Sequence, residues 1–392
     1  MHLRSKSACL LFALAVAGAA TADVVWETAL PSAYGCRLNG CCSTDDGGLV
    51  AVGALGTPDR EITSFYMAKI SPQGGMQWEM SSGWGASSTG HDVLQAGSGY
   101  LVCGELTTRR GDRDGFLIHL DYFGLEIWHR RLGGEGDDSL LDIAAAPGGG
   151  FYLTGYTVSE EGGDKDLWLM SVDSEGGIIW SRTYGDSCGE AGYGMCVTPD
   201  SVLAVCGSCD GDMLLLLADG EGEPIHYGTF DTGGIEYGRS IAVMADGGLR
   251  MGGSVRPGGS FLMDAFLLAT DSAGGELWRA TSGGAGNDCG ACVLPMGDSL
   301  LVVYNTMSEG RGSYDAALEL RSGEGLPTGR MLVGDSGWNR VCDAEAGTRG
   351  GVFLVGGTGP AAASECNGWV VLVDFETEAG ASGVEGDVDD EG

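Results

Sequence analysis

Residues 173–187 read DSEGGIIWSRTYGDS, in which an aspartate and a Gly-Gly turn precede a short apolar run that ends in tryptophan. Nearly the same phrase occurs at 121–135 (DYFGLEIWHRRLGGE) and at 271–285 (DSAGGELWRATSGGA). Glycine turns between short runs of β-branched and other apolar residues are typical of β-hairpins. The phrase therefore predicts one hairpin of a repeated sheet, and the number of its copies decides the fold.

A second strand pattern, in which apolar residues alternate up to a final glycine, follows each DGG-like turn. It occurs seven times and ends at Gly53, Gly104, Gly155, Gly207, Gly253, Asn305 and Gly356. A third strand begins ten or eleven residues later in most copies, the tryptophan strand follows it, and a less regular apolar segment precedes each turn. Self-similarity at a fixed period indicates a repeat architecture with four short strands in each repeat.

The two ends of the chain indicate that the repeats close into a ring. VVWETAL (24–30) is a tryptophan strand with no partners before it, whereas the last copy stops after GWVVLVD (368–374). Each strand type occurs seven times only if the first strand completes the last sheet, and ring closure removes the exposed edges of a linear array. We predict an all-β fold: a seven-bladed β-propeller of four-stranded antiparallel blades, closed by the N-terminal strand pairing into the last blade.

The pattern GxxxxDxWLxxxDxxGxxxW with a DGG turn resembles the β-propeller repeat of exported bacterial proteins, the SBBP-type repeat, over residues 24–374. The blades also resemble kelch repeats, with di-glycines at 252–253 and 356–357, and the tryptophan-docked blades of quinoprotein dehydrogenases. The sialidase Asp-box is a more distant resemblance, because Asp173, Gly176 and Trp180 are spaced differently from that motif. A shared blade construction implies a fold far more than a function.

Composition and the N-terminus predict an exported protein. Residues 1–22 carry a basic start, a short apolar run and an Ala-Thr-Ala site, and so predict a cleavable signal peptide. We expect a secreted or periplasmic monomer in which residues 23–374 form a single propeller and residues 375–392 an acidic disordered tail. The net charge of −34 opposes binding to nucleic acid or anionic lipid, and no stretch predicts a membrane span.

The loops of one face are candidates for binding. The Gly-Gly and DGG hairpins share one face of such a propeller, and the other face collects variable loops rich in acidic residues, among them 107–114, 159–166 and 207–212. These three loops end in Asp-x-Asp, which makes Asp112, Asp114, Asp164, Asp166, Asp210 and Asp212 candidate calcium ligands. Each pair is an incomplete ligand set, and turn capping is the alternative interpretation.

The mature chain has twelve cysteines, an even number, so disulfides are an option. We predict two of them, Cys36–Cys366 between the blades that meet at closure and Cys188–Cys209 within one blade. The C-x-x-C pairs 206–209 and 289–292 lack the spacing of a zinc site. The adjacent Cys41-Cys42 is a point of resemblance to quinoproteins, which place a vicinal disulfide beside their cofactor.

The sequence is compatible with two classes of function, a binding scaffold and an enzyme. No catalytic residue or cofactor-binding residue stands out, because the histidines lie on different strands and carboxylates are abundant. We expect a non-catalytic scaffold, without a cofactor unless calcium binds, that holds a protein or glycan through its acidic loop face. The alternative is a propeller enzyme, similar to a glycoside hydrolase or a quinoprotein, with a site at the central channel.

Overall fold

The computed structural model describes residues 21–57, 63–158, 163–185, 189–310, 313–360 and 366–376. Every regular element in these ranges is a β-strand, and the strands form seven antiparallel sheets of four strands each. The first strands of successive blades contact one another around the whole ring. The chain is therefore a seven-bladed β-propeller, as the repeat predicts. No helix with the length and apolar character of a membrane span occurs among the described residues.

The first six blades each consist of four consecutive strands, ordered from the inside outwards. Blade 1 contains β2 (Cys36–Ser43), β3 (Leu49–Gly56), β4 (Thr63–Ile70) and β5 (Met76–Ser82). Blade 2 contains β6 (Ser87–Ala96), β7 (Gly99–Thr107), β8 (Arg113–Asp121) and β9 (Glu126–Leu132). Blade 3 contains β10 (Ser139–Ala145), β11 (Phe151–Val158), β12 (Lys165–Val172) and β13 (Ile178–Tyr184).

The next three blades repeat this order. Blade 4 contains β14 (Glu190–Val197), β15 (Leu203–Cys209), β16 (Asp212–Ala218) and β17 (Pro224–Phe230). Blade 5 contains β18 (Ile235–Val243), β19 (Leu249–Arg256), β20 (Asp264–Thr270) and β21 (Glu276–Ser282). Blade 6 contains β22 (Asp288–Met296), β23 (Ser299–Thr306), β24 (Asp315–Arg321) and β25 (Pro327–Val333).

Blade 7 combines the two ends of the chain. It contains β26 (Trp338–Ala346), β27 (Val352–Gly359), β28 (Asn367–Glu376) and, at its outer edge, β1 (Thr21–Leu30). β1 runs antiparallel to β28, with Ala29 opposite Trp369. The buried Trp369 indole donates a hydrogen bond to the Glu27 carboxylate at 2.7 Å. The predicted closure by the N-terminal strand is confirmed.

A β-bulge in the innermost strand of every blade defines what we call the inner ring. The residues that follow the seven bulges are Gly40, Asp92, Asp142, Gly194, Ser240, Cys292 and Asp343. In four of them a side-chain oxygen accepts a backbone N–H of the next blade at 2.6–3.3 Å: Asp92 from Ile143, Asp142 from Met195, Ser240 from Val293 and Asp343 from Cys41. The bond from Asp343 joins blade 7 to blade 1, so hydrogen bonds fix the closure on the inside as well as at the outer edge.

The recurring tryptophan lies on the outer strand of its blade and covers a turn of the next blade. The pairs of indole and positive-φ glycine are Trp26 with Gly74, Trp78 with Gly124, Trp128 with Gly176, Trp180 with Gly222 and Trp278 with Gly325. A Cβ atom on any of these glycines would lie 2.7–3.0 Å from the ring. The tryptophan of one blade therefore packs on the turn of the next blade only because that turn contains a glycine.

Two faces follow from the strand order. The turn between the first and second strands and the turn between the third and fourth lie at one end of each blade, which we call the hairpin face. The loop between the second and third strands and the connection to the next blade lie at the other end, which we call the loop face. This antiparallel order agrees with the predicted grouping of loops.

Candidate functional site

A cavity of about 560 Å³ opens on the loop face at blade 2. Three segments enclose it: the connection from blade 1 (83–85), the loop between β7 and β8, and the end of β9. Its charged and aromatic lining consists of Trp84, Arg109, Arg110, Phe116, His129, Arg130 and Arg131. We call this cavity the arginine pocket.

The wall of the arginine pocket is a fixed aromatic cluster. The Trp84 ring lies 5.2 Å from the buried Phe65 ring and 5.5 Å from that of Phe116. The exposed His129 ring stacks on Trp84 at 6.4 Å between centroids. Aromatic pairs at such distances contribute about 0.5–1.5 kcal/mol beyond the area that they bury. The cluster therefore gives the pocket an aromatic wall packed on the core.

Two of the arginines are held in place by the protein. The Arg131 guanidinium forms an ion pair with the buried Asp114 carboxylate. Burial raises the pKa of Asp114, although Arg131 beside it acts in the opposite direction. Arg130 lies 5.0 Å from the Trp128 ring and donates to the Glu175 carbonyl at 2.8 Å. Both cations are thus anchored at the rim with part of their surface exposed.

The other two arginines are available to a ligand. Arg109 and Arg110 are exposed at the tip of a tight loop in which Thr108 N–H donates to the Asp112 carbonyl at 2.8 Å. Neither guanidinium forms an ion pair with a residue in the described part of the chain. The arginine pocket thus gathers four of the 21 lysine and arginine side chains of a protein with a net charge of −34. It is a local cationic site on an acidic molecule.

The inner ring contains the most perturbed carboxylates. Burial, followed by the charges of Asp142 and Asp343, raises the pKa of Asp92 well above its usual range. Burial also raises the pKa of Asp142 to about 6. Perturbed carboxylates can mark a catalytic site. Here, however, they accept the inter-blade hydrogen bonds described above, which is a structural reason for their position.

A second, small cavity lies between the inner strands of blades 1, 5, 6 and 7. Arg37, Arg239 and Arg340 from three blades, together with Tyr237, line a cavity of about 10 Å³. A volume of this size holds about one water molecule. This cavity has no room for a sugar ring or a quinone. An enzyme site at the central channel stays a prediction.

The three candidate calcium pairs have different surroundings in the structure. Asp112 accepts a hydrogen bond from the Thr108 hydroxyl, and Asp114 binds Arg131, so donors of the protein satisfy this pair. Asp164 is exposed, and Asp166, which lies in β12, is partly buried. Asp212 meets two acidic side chains that the sequence analysis did not name, Asp231 and Glu236. Calcium binding by the three pairs stays a prediction. Of the six aspartates, Asp212 belongs to a cluster of three carboxylates, and its predicted companion Asp210 does not.

The predicted disulfides also stay predictions. Cys36 N–H donates to the Cys366 carbonyl at 2.7 Å, and the Cys366 sulfur lies 3.1 Å from the Cys36 carbonyl oxygen. The two residues are therefore neighbours across the closure, and both thiols are free in this structure. Cys209 is free as well, whereas its predicted partner Cys188 lies outside the described residues.

The sequence matches no protein family and no curated protein. Solved structures share its fold. A protein of unknown function from Dyadobacter fermentans is 11% identical, with a TM-score of 0.55 over 92% of this chain and 100% of that one. YCF48 bound to D1 peptide is 10% identical, with a TM-score of 0.54 over 95% and 100%. The periplasmic gluconolactonase PpgL of Pseudomonas aeruginosa is 12% identical, with a TM-score of 0.50 over 81% and 94%.

At these identities the likeness establishes the propeller and no finer relationship. The resemblance to SBBP-type, kelch and quinoprotein repeats therefore stays a prediction about blade construction. The arginine pocket was not predicted from the sequence, because the loop at 107–114 was grouped with the acidic loops. The signal was present in the adjacent pairs 109–110 and 130–131, four of the few cationic residues of the chain.

Proposed function

We propose that this propeller is a non-catalytic binding scaffold that holds an acidic segment of a partner protein in the arginine pocket. The observation that carries the proposal is the pair of exposed guanidinium groups, Arg109 and Arg110, above an aromatic cavity of about 560 Å³. Arginine binds carboxylates through two parallel N–H···O bonds. A cavity of this size holds a few side chains of a peptide.

The charge of the whole molecule supports a partner with mixed charge. The surface around the pocket belongs to a protein with 55 acidic residues and 21 basic ones. A segment that places one or two carboxylates in the pocket and basic residues beside it would match both charges. Electrostatic complementarity of this kind chiefly raises the association rate and the specificity.

A protein fits this surface better than a glycan. The His129 ring already stacks on Trp84, so a sugar ring would have to displace it to use the indole. A uniformly anionic glycan would extend from the arginine pocket over an acidic surface that repels it. Propellers of this shape bind peptides elsewhere, since the similar structure of YCF48 contains a D1 peptide.

The proposal is tested with a peptide array and an anionic glycan array, probed with the purified full chain. We expect saturable binding to peptides that carry Asp or Glu next to basic residues. The variants Arg109→Glu and Arg110→Glu should each weaken this binding by on the order of 10-fold, since charge reversal replaces attraction by repulsion. Raising the salt from about 0.15 M to about 0.5 M should weaken it as well.

Arg349→Glu is the matched control, because Arg349 is exposed at a turn of the hairpin face and the charge change is the same. It should bind like the wild type. Equal losses in all three variants would assign the effect to net charge and contradict the pocket. Binding to glycans alone would replace the protein partner by a glycan, and turnover of a bound glycan would favour the enzyme alternative.

A further inference from the structure

Three carboxylates converge on the loop face where blade 4 meets blade 5. Asp212 begins β16, Asp231 follows β17, and Glu236 lies in β18. One oxygen of each lies within 4.8 Å of the corresponding oxygens of the other two. Calcium binds carboxylate oxygens at about 2.3–2.6 Å, so a single ion between these oxygens could contact all three.

Glu236 forms no ion pair with a lysine, arginine or histidine of the described residues. Its side chain is fully buried, and one carboxylate oxygen accepts from the Thr232 hydroxyl. The second oxygen, Oε2, has no donor among the described residues. An unpaired buried carboxylate oxygen is costly, and buried charges are normally paired or bound to a metal ion. Oε2 therefore indicates a ligand that this position is built to hold.

The equivalent carboxylates of blades 3 and 6 are satisfied without a ligand. Asp138, just before β10, accepts from Gly134 N–H with one oxygen and from the Thr157 hydroxyl with the other. Asp288, which begins β22, accepts from Gly284 N–H at 2.8 Å and from the Ser308 hydroxyl at 2.5 Å. In these two blades the carboxylate caps the connection from the preceding blade. Only part of that role is filled by Glu236.

The surroundings add negative charge rather than neutralising it. Asp210, two residues before Asp212, adds a fourth carboxylate near the cluster. Arg279, whose charge acts on Glu236 and Asp231, donates to both oxygens of Glu276 and to the backbone carbonyl of Asp231. Its guanidinium is thus already bonded, and it contacts none of the three carboxylates.

The two halves of the cluster are fixed relative to each other. Residues 210–211 form the two-residue turn between β15 and β16, with φ of 49° and 93°. Positive φ at both central residues is typical of the type I′ turn, which fits the twist of a hairpin. Glu236 N–H donates to the Gly211 carbonyl at 2.6 Å and ties this turn to β18. The ligands are therefore pre-arranged.

We propose that Asp212, Asp231 and Glu236 form a calcium site that joins blade 4 to blade 5. The ion would bind Glu236 Oε2, and waters would supply its remaining oxygen ligands on the exposed side, next to Asp231. Calcium is favoured over magnesium because it accepts irregular arrangements of six to eight oxygens. The site is separate from the arginine pocket, so the two proposals stand or fall independently.

Isothermal titration calorimetry of the chelator-treated full chain with calcium chloride tests the site. We expect one strong site in the wild type and a thermal unfolding midpoint that rises with calcium, because an ion that binds only the folded state stabilises it. Glu236→Gln and Asp212→Asn should each weaken binding by on the order of 10-fold or more. Asp264→Asn is the matched control, since Asp264 begins β20 at the equivalent position of the next blade.

The outcomes separate a site from a general effect of acidity. Loss of binding in Glu236→Gln and Asp212→Asn, with Asp264→Asn unchanged and all three folded by circular dichroism, would support the site. If Glu236→Gln does not fold, the folded Asp212→Asn variant decides. Absence of calcium heat in the wild type, equal weakening in Asp264→Asn, or an equal response to magnesium chloride would overturn the proposal.

Discussion

Asp142 joins two blades and also makes the stability of the protein depend on pH. Its carboxylate accepts the Met195 N–H at 2.6 Å, and burial raises its pKa to about 6. In the unfolded chain the same group has an ordinary pKa, so the folded state binds more protons at mildly acidic pH. The stabilising contribution of Asp142 is complete below about pH 4 and is lost as the pH rises through 6.

Asp142→Asn should remove this pH dependence. The asparagine keeps an oxygen that can accept the Met195 N–H, and it cannot ionise. We expect the wild-type unfolding midpoint to fall relative to that of the variant as the pH rises from about 5 to about 7.5, because only the wild type acquires the buried charge of Asp142, whereas Asp92 is present in both proteins. Differential scanning calorimetry at several pH values measures this difference.

Asp173→Asn serves as the control for the pH series. The Gly177 and Glu175 N–H groups hold the pKa of the exposed Asp173 below its usual range. Its ionisation is therefore complete before pH 5, and its midpoint should run parallel to that of the wild type. A parallel curve for Asp142→Asn as well would contradict a titrating Asp142.

At the scale of the element, each hairpin depends on a neighbour. The turn that contains Gly176 can close only because its left-handed glycine leaves room for Trp128 of the preceding blade. The indole in return covers the turn. A repeat of this kind cannot bury its own surface and is stabilised by the next copy.

Gly176→Ala should destabilise the protein for two separate reasons. An alanine at φ 76° is strained by about 1–2 kcal/mol. Its Cβ would also lie 2.7 Å from the Trp128 ring, and overpacking costs a further 1–3 kcal/mol or so. Gly259→Ala isolates the first effect, because Gly259 has φ 80° and open space around it.

Urea unfolding of the two glycine variants separates the effects. We expect Gly176→Ala to unfold at lower urea than Gly259→Ala, and both below the wild type. In a Trp128→Ala background, Gly176→Ala should cost less stability than it does in the wild type, because the alanine no longer meets the indole. Equal midpoints for the two glycine variants would show that the indole does not restrict the turn.

At the scale of the molecule, the sequence predicted the ring because each blade repeats the same short pattern of strands and turns. The tryptophan strand at 24–30 has no other sheet to join, and the structure pairs it with β28. Binding sites, in contrast, depend on side chains from segments that are distant in sequence. The loop at 108–112 meets β9 to form the arginine pocket, and Asp212 meets Glu236 of the next blade. No spacing rule along the chain relates these residues.

Removing β1 tests the closure directly. A chain that begins at residue 31 leaves the whole edge of β28 unpaired and leaves the turn at Gly74 without its cover, Trp26. Exposed edges pair with other chains, so we expect a lower unfolding midpoint and concentration-dependent association in light scattering. A chain that begins at residue 21 keeps β1 and should behave like the wild type.

A synthetic peptide of residues 21–30 should bind the shortened chain and restore the monomer, as an added strand does at an open sheet edge. The same peptide with Trp26→Ala should restore less, because it pairs with β28 and leaves Gly74 uncovered. The inner-ring bond from Asp343 to Cys41 remains in the shortened chain. If that chain stays monomeric with an unchanged midpoint, the inner ring alone closes the propeller, and the outer strand is not required.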